Sequence, residues 1–396
     1  LIHSFLVRSE KKDDLTNEKS ILLVLLNSSF FYIAAYSIIS KQYPNYLGTF
    51  TFLTALLHIG VSYAASKMNK PLTKILFLLA SSFIFLSIPI QFDGAIVSIL
   101  WSIECLALLG ISLNINDIHI RIASYVAGAI VVFKVLLIDS SYQSFMISDI
   151  LESSRPFSYV SAILIFYYMA YLLKLNESLL SDDEKYLSSL YSGFVTLFTM
   201  VIIGLEFKGA WITILWTLEG ILLMRTAVFQ KDYAFEIFSY FVGGVTAIKV
   251  LFIDSHYASL FISNILGSER LIAYIPAILG FYYVAHILRK PNGSEDSDEQ
   301  NASIIYSGLA TLFTTVLIGL EFERYWISIA WAILAMILSY VGISYMRSDL
   351  RRFGIALFGL VIVKVFLFDV SKLSTGYRTL SFIVLGILLL IASFIY

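Results

Sequence analysis

The chain has 396 residues, of which 59% are hydrophobic and 14% charged, with a formal net charge of −1 and a mean hydropathy of +0.83. Soluble domains are about half apolar and about a quarter charged, so this balance excludes an ordinary soluble domain and indicates a membrane protein. The near-neutral charge gives no support for nucleic-acid binding, and the single cysteine, Cys105, excludes an intramolecular disulfide or a cysteine metal cluster.

In chain order, the sequence opens at Leu1 with a mixed-charge stretch from Arg8 to Lys19, where a signal peptide would have a basic segment, an apolar core and a cleavage site. The absence of Met at position 1 reads as a cut from something longer. A membrane-crossing helix needs roughly 20 mostly apolar residues. Such runs predict spans at 20–40, 47–66, 75–92, 95–113, 122–139, 157–174, 187–206, 209–228, 234–254, 271–288, 303–321, 325–345, 353–369 and 378–395. The expected fold is all-α, a polytopic transmembrane bundle of about 14 spans with both termini on one side. Segments on that side carry most of the lysines and arginines, among them Lys67, Lys70, Lys74, Arg121, Lys185, Arg225 and Lys231. Positive residues stay inside, so both termini are expected in the cytoplasm. The acidic stretch from Asn292 to Ser303 reads as a flexible linker.

The chain repeats itself with a period of 115 residues. Trp101, Trp216 and Trp331 keep that step, as do Gln91, Glu206 and Glu321; Lys134, Lys249 and Lys364; and Asp139, Asp254 and Asp369. Arg155, Arg270 and Arg378 open the last helix of each copy, the third after a shorter loop. The expected organisation is an N-terminal tail and helix pair at 1–74, followed by four-helix units at 75–174, 187–288 and 303–396. Four is even, so the three units enter the membrane in the same direction, as parallel repeats.

Polar residues within spans need an explanation, because a charge at mid-bilayer costs about 2.5–3.5 kcal/mol on insertion scales. Lys134, Lys249 and Lys364 each precede an outer-end aspartate by five residues, close enough for the ammonium to snorkel to the headgroups. Glu104 and Glu219 lie near the middle of their spans, and an unpaired carboxyl there stays protonated. The simpler expectation is a structural ion pair, Glu104 with Lys134 and Glu219 with Lys249. The sharper one is a proton or ion relay, or a site for an anionic headgroup. Leu334 replaces the glutamate in the third unit.

Pro89, Gly204 and Gly319 precede the Gln91, Glu206 and Glu321 positions and either kink their helices or end them before a tight outer turn. Trp211 and Trp326 read as interfacial anchors, and Trp101, Trp216 and Trp331 as packing within the unit. Tyr167, Tyr168, Tyr282 and Tyr283 read as packing residues, and His58 and His286 as satisfied or cavity-lining histidines. The sequence contains no phosphate loop, nucleophile elbow or zinc motif, so neither an enzyme nor a cofactor is expected.

Three stretches carry a family resemblance: Asn27 to Tyr32; Phe85 to Gly94 followed by Trp101-Ser102-Ile103-Glu104; and Lys364 to Asp369 with Tyr377-Arg378 and Leu380 to Tyr396. Together they resemble the bacterial multi-pass membrane family known as domain of unknown function 2339, over most of the chain. The resemblance implies a helical membrane protein whose members are typically longer at the N-terminus, and it implies no activity. The function expected is therefore transport or lipid and envelope handling through an outer-leaflet polar layer, with membrane lipids as partners. The alternatives are a non-catalytic scaffold or complex subunit and, last, a membrane-embedded enzyme acting on lipid-linked glycans.

Overall fold

The computed structural model describes residues 14–66, 70–141, 154–257, 268–289, 297–323 and 325–365, with isolated positions beyond. The described residues form helices and turns without a strand: α1 (Asp14–Gln42), α2 (Leu47–Ala65), α3 (Lys70–Gln91), α4 (Ala95–Ile115), α5 (Ile118–Phe133), α6 (Ser154–Leu175), α7 (Leu187–Glu206), α8 (Ala210–Gln230), α9 (Tyr233–Phe252), α10 (Glu269–Ile287), α11 (Ser297–Glu321), α12 (Tyr325–Ser344) and α13 (Ser348–Lys364). The helices α1 to α12 are all long and apolar enough to cross a membrane. In a bilayer, helices of this kind satisfy their own backbone groups, which is why apolar runs of this length become helical. The predicted span at 353–369 begins within α13, and its end lies outside the described residues together with most of 378–395. The expected linker at 292–303 is corrected in part. Ser297 to Ser303 form the first turns of α11.

Large apolar side chains cover the outside of the molecule, among them Phe30, Phe31, Leu57, Phe133, Leu164, Phe229, Phe252 and Leu279. This is the surface expected of helices solvated by lipid. Trp211 and Trp326 join it near the starts of α8 and α12, as expected of interfacial anchors. Tyr167 and Tyr168, expected to pack inside, also face outward, at 62% and 48% exposure. Their turn of α6 presents Phe166 and Met169 to the core instead.

The chain divides into two compact units, Leu1–Ile202 and Ile203–Tyr396. In the first, one apolar core joins α4, α5, α6 and α7 through residues such as Cys105, Val131, Phe166 and Phe198. Phe166 meets Tyr191 edge-on at 5.1 Å between ring centroids. In the second, a matching core joins α8, α9, α10 and α11, where Phe281 meets Phe313 at 5.0 Å, and a further cluster lies between α12 and α13. Each of the two four-helix cores thus ends on a helix that the 115-residue period assigns to the following copy.

The connections are tight. Asn116, Lys231 and Met346 each end a helix in the left-handed conformation, with φ of 51°, 53° and 54°. Asp117 and Asp232 then cap α5 and α9 through their side chains. At the other end of the helices, Gly94 and Gly209 have φ of 65° and 60°, which side chains with a Cβ rarely adopt. Here α3 runs through Pro89 and ends two residues later, and α7 and α11 end two residues beyond Gly204 and Gly319. These positions therefore mark helix ends. The two glycines also lie against Trp216 and Trp331, as their missing side chains permit.

Gly354 of α13 is buried against α12, where an added Cβ would meet the Ala335 carbonyl oxygen at 2.8 Å. Backbone cannot swing aside, so Gly354→Ala is expected to destabilise the second unit by about 1–3 kcal/mol. Thermal unfolding in detergent would show this as a lower melting temperature than for Gly60→Ala, whose Cβ meets open space.

Candidate functional site

In the first two repeats the lysine and the aspartate form a clamp at one end of their helices. After α5 the backbone widens into a π turn at Lys134–Ile138, in which the Asp139 amide donates to the Lys134 carbonyl. The Lys134 ammonium donates to Asp139 Oδ1 at 2.6 Å, to Ser98 Oγ at 2.7 Å and to the Gly94 carbonyl at 3.2 Å. The Ser98 hydroxyl in turn donates to Asp139 Oδ2. An ammonium has three protons, and all three are used here. Lys134 and Asp139 are both buried.

In the second unit, Lys249 bonds Asp254, Thr213 Oγ1 at 2.7 Å and the Gly209 carbonyl at 3.2 Å, and Thr213 donates to Asp254. Lys364 reaches Ser328 Oγ at 2.7 Å, while Asp369 lies outside the described residues. Ser98, Thr213 and Ser328 keep the 115-residue step. Their hydroxyls were overlooked in the sequence, where the repeating hydroxyl position was the available signal.

This geometry corrects two expectations. The lysines pair with the aspartates and not with Glu104 and Glu219, and they turn into the protein instead of snorkelling to the headgroups. The reason is depth. Lys134 is level with Ser98, and Glu104 lies six residues further along α4, roughly 9 Å deeper at 1.5 Å per residue.

Glu104 and Glu219 stand apart from the clamps. Each is the tenth residue of a 21-residue helix, roughly 14 Å from the end that carries the clamp and near the helix middle. Both are at least nine-tenths buried, at 8% and 9% exposure. Glu104 Oε1 accepts from Ser81 Oγ of α3 at 3.2 Å, and its Oε2 has no hydrogen-bond partner; Glu219 Oε2 likewise has none. Buried polar atoms in native proteins are nearly always satisfied, so two such orphans at equivalent positions call for a chemical explanation. Trp101 and Trp331 pack within their units as expected, their indole N–H groups donating to the carbonyls of Phe85 and Thr315 at 2.9 Å. Leu334 takes part in the apolar cluster of α12 and α13.

The remaining candidates are dispersed. Gln91 is exposed and accepts from Thr49 at 3.4 Å, whereas Glu206 and Glu321 are buried. Glu321 pairs with Arg270 at 3.2 Å. His58 is a satisfied histidine, with Nδ1 at 2.8 Å from the Thr54 carbonyl and Nε2 at 3.0 Å from Ser28 Oγ. The hydroxyl of Tyr282 meets that of Thr311 at 2.9 Å. At the other ends of the helices Lys74 pairs with Asp117 at 2.8 Å and Arg121 with Glu184 at 3.0 Å. Burial pushes the Asp117 carboxyl up, but hydrogen bonds from Lys74 and from the Ile120 and His119 amides outweigh it and hold the group below the usual range. No group of three or more His, Cys, Asp or Glu side chains is arranged to hold a metal among the described residues.

The family described as "Predicted membrane protein (DUF2339)" matches residues 257–396. The match includes the closing strings that carry the resemblance, and the strings around Phe85 and Trp101 precede it. No curated protein and no solved structure matches the chain.

Removing one partner of a clamp leaves an unpaired buried charge. Lys249→Met is therefore expected to cost about 3–5 kcal/mol, and Lys249→Met combined with Asp254→Leu is expected to recover most of it. Melting temperatures of both single variants and the double variant in detergent measure this coupling.

Proposed function

We propose that the chain is a transport or lipid-handling protein of the bacterial cytoplasmic membrane, with both termini in the cytoplasm, acting through polar groups inside its spans. The reading is carried by Glu104 and Glu219, two mid-span carboxyls set apart from the clamps that each keep an unpartnered oxygen. Ionisable groups are kept at such depth chiefly where they contact a substrate or an ion. The clamps hold the outer ends of the helices in register around these carboxyls, so the outer polar layer supports the function and the glutamates perform it. The second reading, a non-catalytic scaffold or complex subunit, is favoured by the completeness of those same clamps.

Reconstitution into sealed vesicles tests the choice, with transbilayer movement of a fluorescent phospholipid and ion flux as separate readouts. Glu219→Gln is expected to bring one of these activities to the level of empty vesicles while leaving the melting temperature unchanged. If wild-type vesicles show neither activity, or if the substitution only lowers yield and melting temperature, the scaffold reading stands.

Orientation has its own test. Lys208 lies exposed in the turn after α7, and Lys185 lies exposed in the segment before it. In intact cells a membrane-impermeant maleimide is expected to label Lys208→Cys and to spare Lys185→Cys until the membrane is opened. The buried Cys105 supplies little background. The reverse pattern would place the termini outside.

A further inference from the structure

We infer that the species handled at mid-span is the proton, and that Glu104 and Glu219 take it up and release it as two separate exchange sites in one chain. The inference rests on the transport reading and narrows its substrate.

Size and coordination single out the proton. A sodium or divalent ion must trade several water ligands for protein oxygens. Around Glu104 the structure offers the carboxyl and the Ser81 hydroxyl, and no cluster of metal-ligating side chains exists among the described residues. An anion would have no free cation to balance it here, because Lys134 and Lys249 are already paired with aspartates. A proton needs a single oxygen atom, and each glutamate has one unpartnered. Without a cation beside it, the buried carboxyl is most stable in its neutral form, which carries the proton.

The neighbouring charges leave the glutamates to themselves. On the helices packed against α4, the charged and titratable groups include Lys74 of α3, paired with Asp117, His119 and Arg121 in the first turn of α5, Arg121 being paired with Glu184, Lys134 and Asp139, paired with each other, and Arg155 and Lys174 at the two ends of α6. Against α8 they are Lys249 and Asp254, again paired, Glu236 in the first turn of α9, and Glu269, Arg270 and His286 near the ends of α10. None of these forms an ion pair with Glu104 or Glu219. The third repeat has Leu334 at this position in place of a glutamate.

A hydrophobic carbodiimide tests the inference directly, because it adds to a protonated carboxyl within a membrane and rearranges to a stable N-acylurea without a leaving group. The full chain in lipid vesicles would be treated with dicyclohexylcarbodiimide and its peptides analysed by mass spectrometry. Modification is expected at Glu104 and Glu219 and not at Asp139 or Asp254, at a rate falling roughly tenfold or more between about pH 6 and about pH 9. Glu104→Gln and Glu219→Gln each remove one adduct and leave the other. Glu219→Asp restores labelling at its own position if Glu219→Gln folds poorly.

An absence of adducts at both glutamates, or a labelling rate indifferent to pH, overturns the proton inference. If adducts form with the expected pH dependence but the vesicles move neither lipid nor ions, the exchange sites stand and the transport reading falls. If vesicles transport while both glutamates stay unlabelled, the reverse holds.

Discussion

The ammonium of a lysine that points into a bilayer-spanning bundle cannot reach water, and it must find three acceptors within the protein. Lys134 finds them on two segments, the Gly94–Ser98 start of α4 and Asp139 beyond the end of α5. Lys249 does the same with Gly209, Thr213 and Asp254. Each clamp ties the entry of one helix to the exit of the next, and it needs the positive-φ glycine that turns the chain into α4 or α8. The position of the helices around the mid-span glutamates follows from that tie.

Between the clamps and the opposite helix ends, packing follows the rules of a lipid solvent. Hydrocarbon chains are as apolar as leucine, so helices gain little by hiding apolar surface and associate through close fit and internal hydrogen bonds. Gly128 and Gly243 leave room for the hydroxyls of Tyr191 and Tyr306, and Ser124 and Ser239 donate across to the carbonyls of Cys105 and Gly220. Ser140 and Ser255 meet the hydroxyls of Tyr159 and Tyr274 at 2.7 and 2.6 Å. Residues 115 apart make the same contacts in each pair. Apolar side chains such as Phe229 and Leu164 are left for the lipid.

Against this background of satisfied groups, the copies differ where chemistry is available. Glu104 has a hydroxyl donor from α3, Glu219 keeps an oxygen without a partner, and Leu334 closes the same position with hydrocarbon. The first two repeats share the Lys–Asp clamp, through Ser98 in one and Thr213 in the other, around centres that differ.

The helices and the membrane were legible in the sequence, because apolar runs of span length have one stable outcome in a bilayer. The 115-residue spacing of Trp101, Lys134 and Asp139 was equally plain, since periodicity is a property of the chain in one dimension. Which charges meet was decided by tertiary structure. In a regular α-helix, residues five apart point about 140° away from each other, so Lys134 and Asp139 did not announce themselves as a pair. A wide turn at Lys134–Ile138 removes that angle, and depth along α4 puts Ser98, not Glu104, opposite the lysine. Sequence spacing fixes neither helical phase nor the level at which two helices face each other. For that reason the clamp, and the unpartnered glutamates it leaves behind, emerged only when the helices were packed.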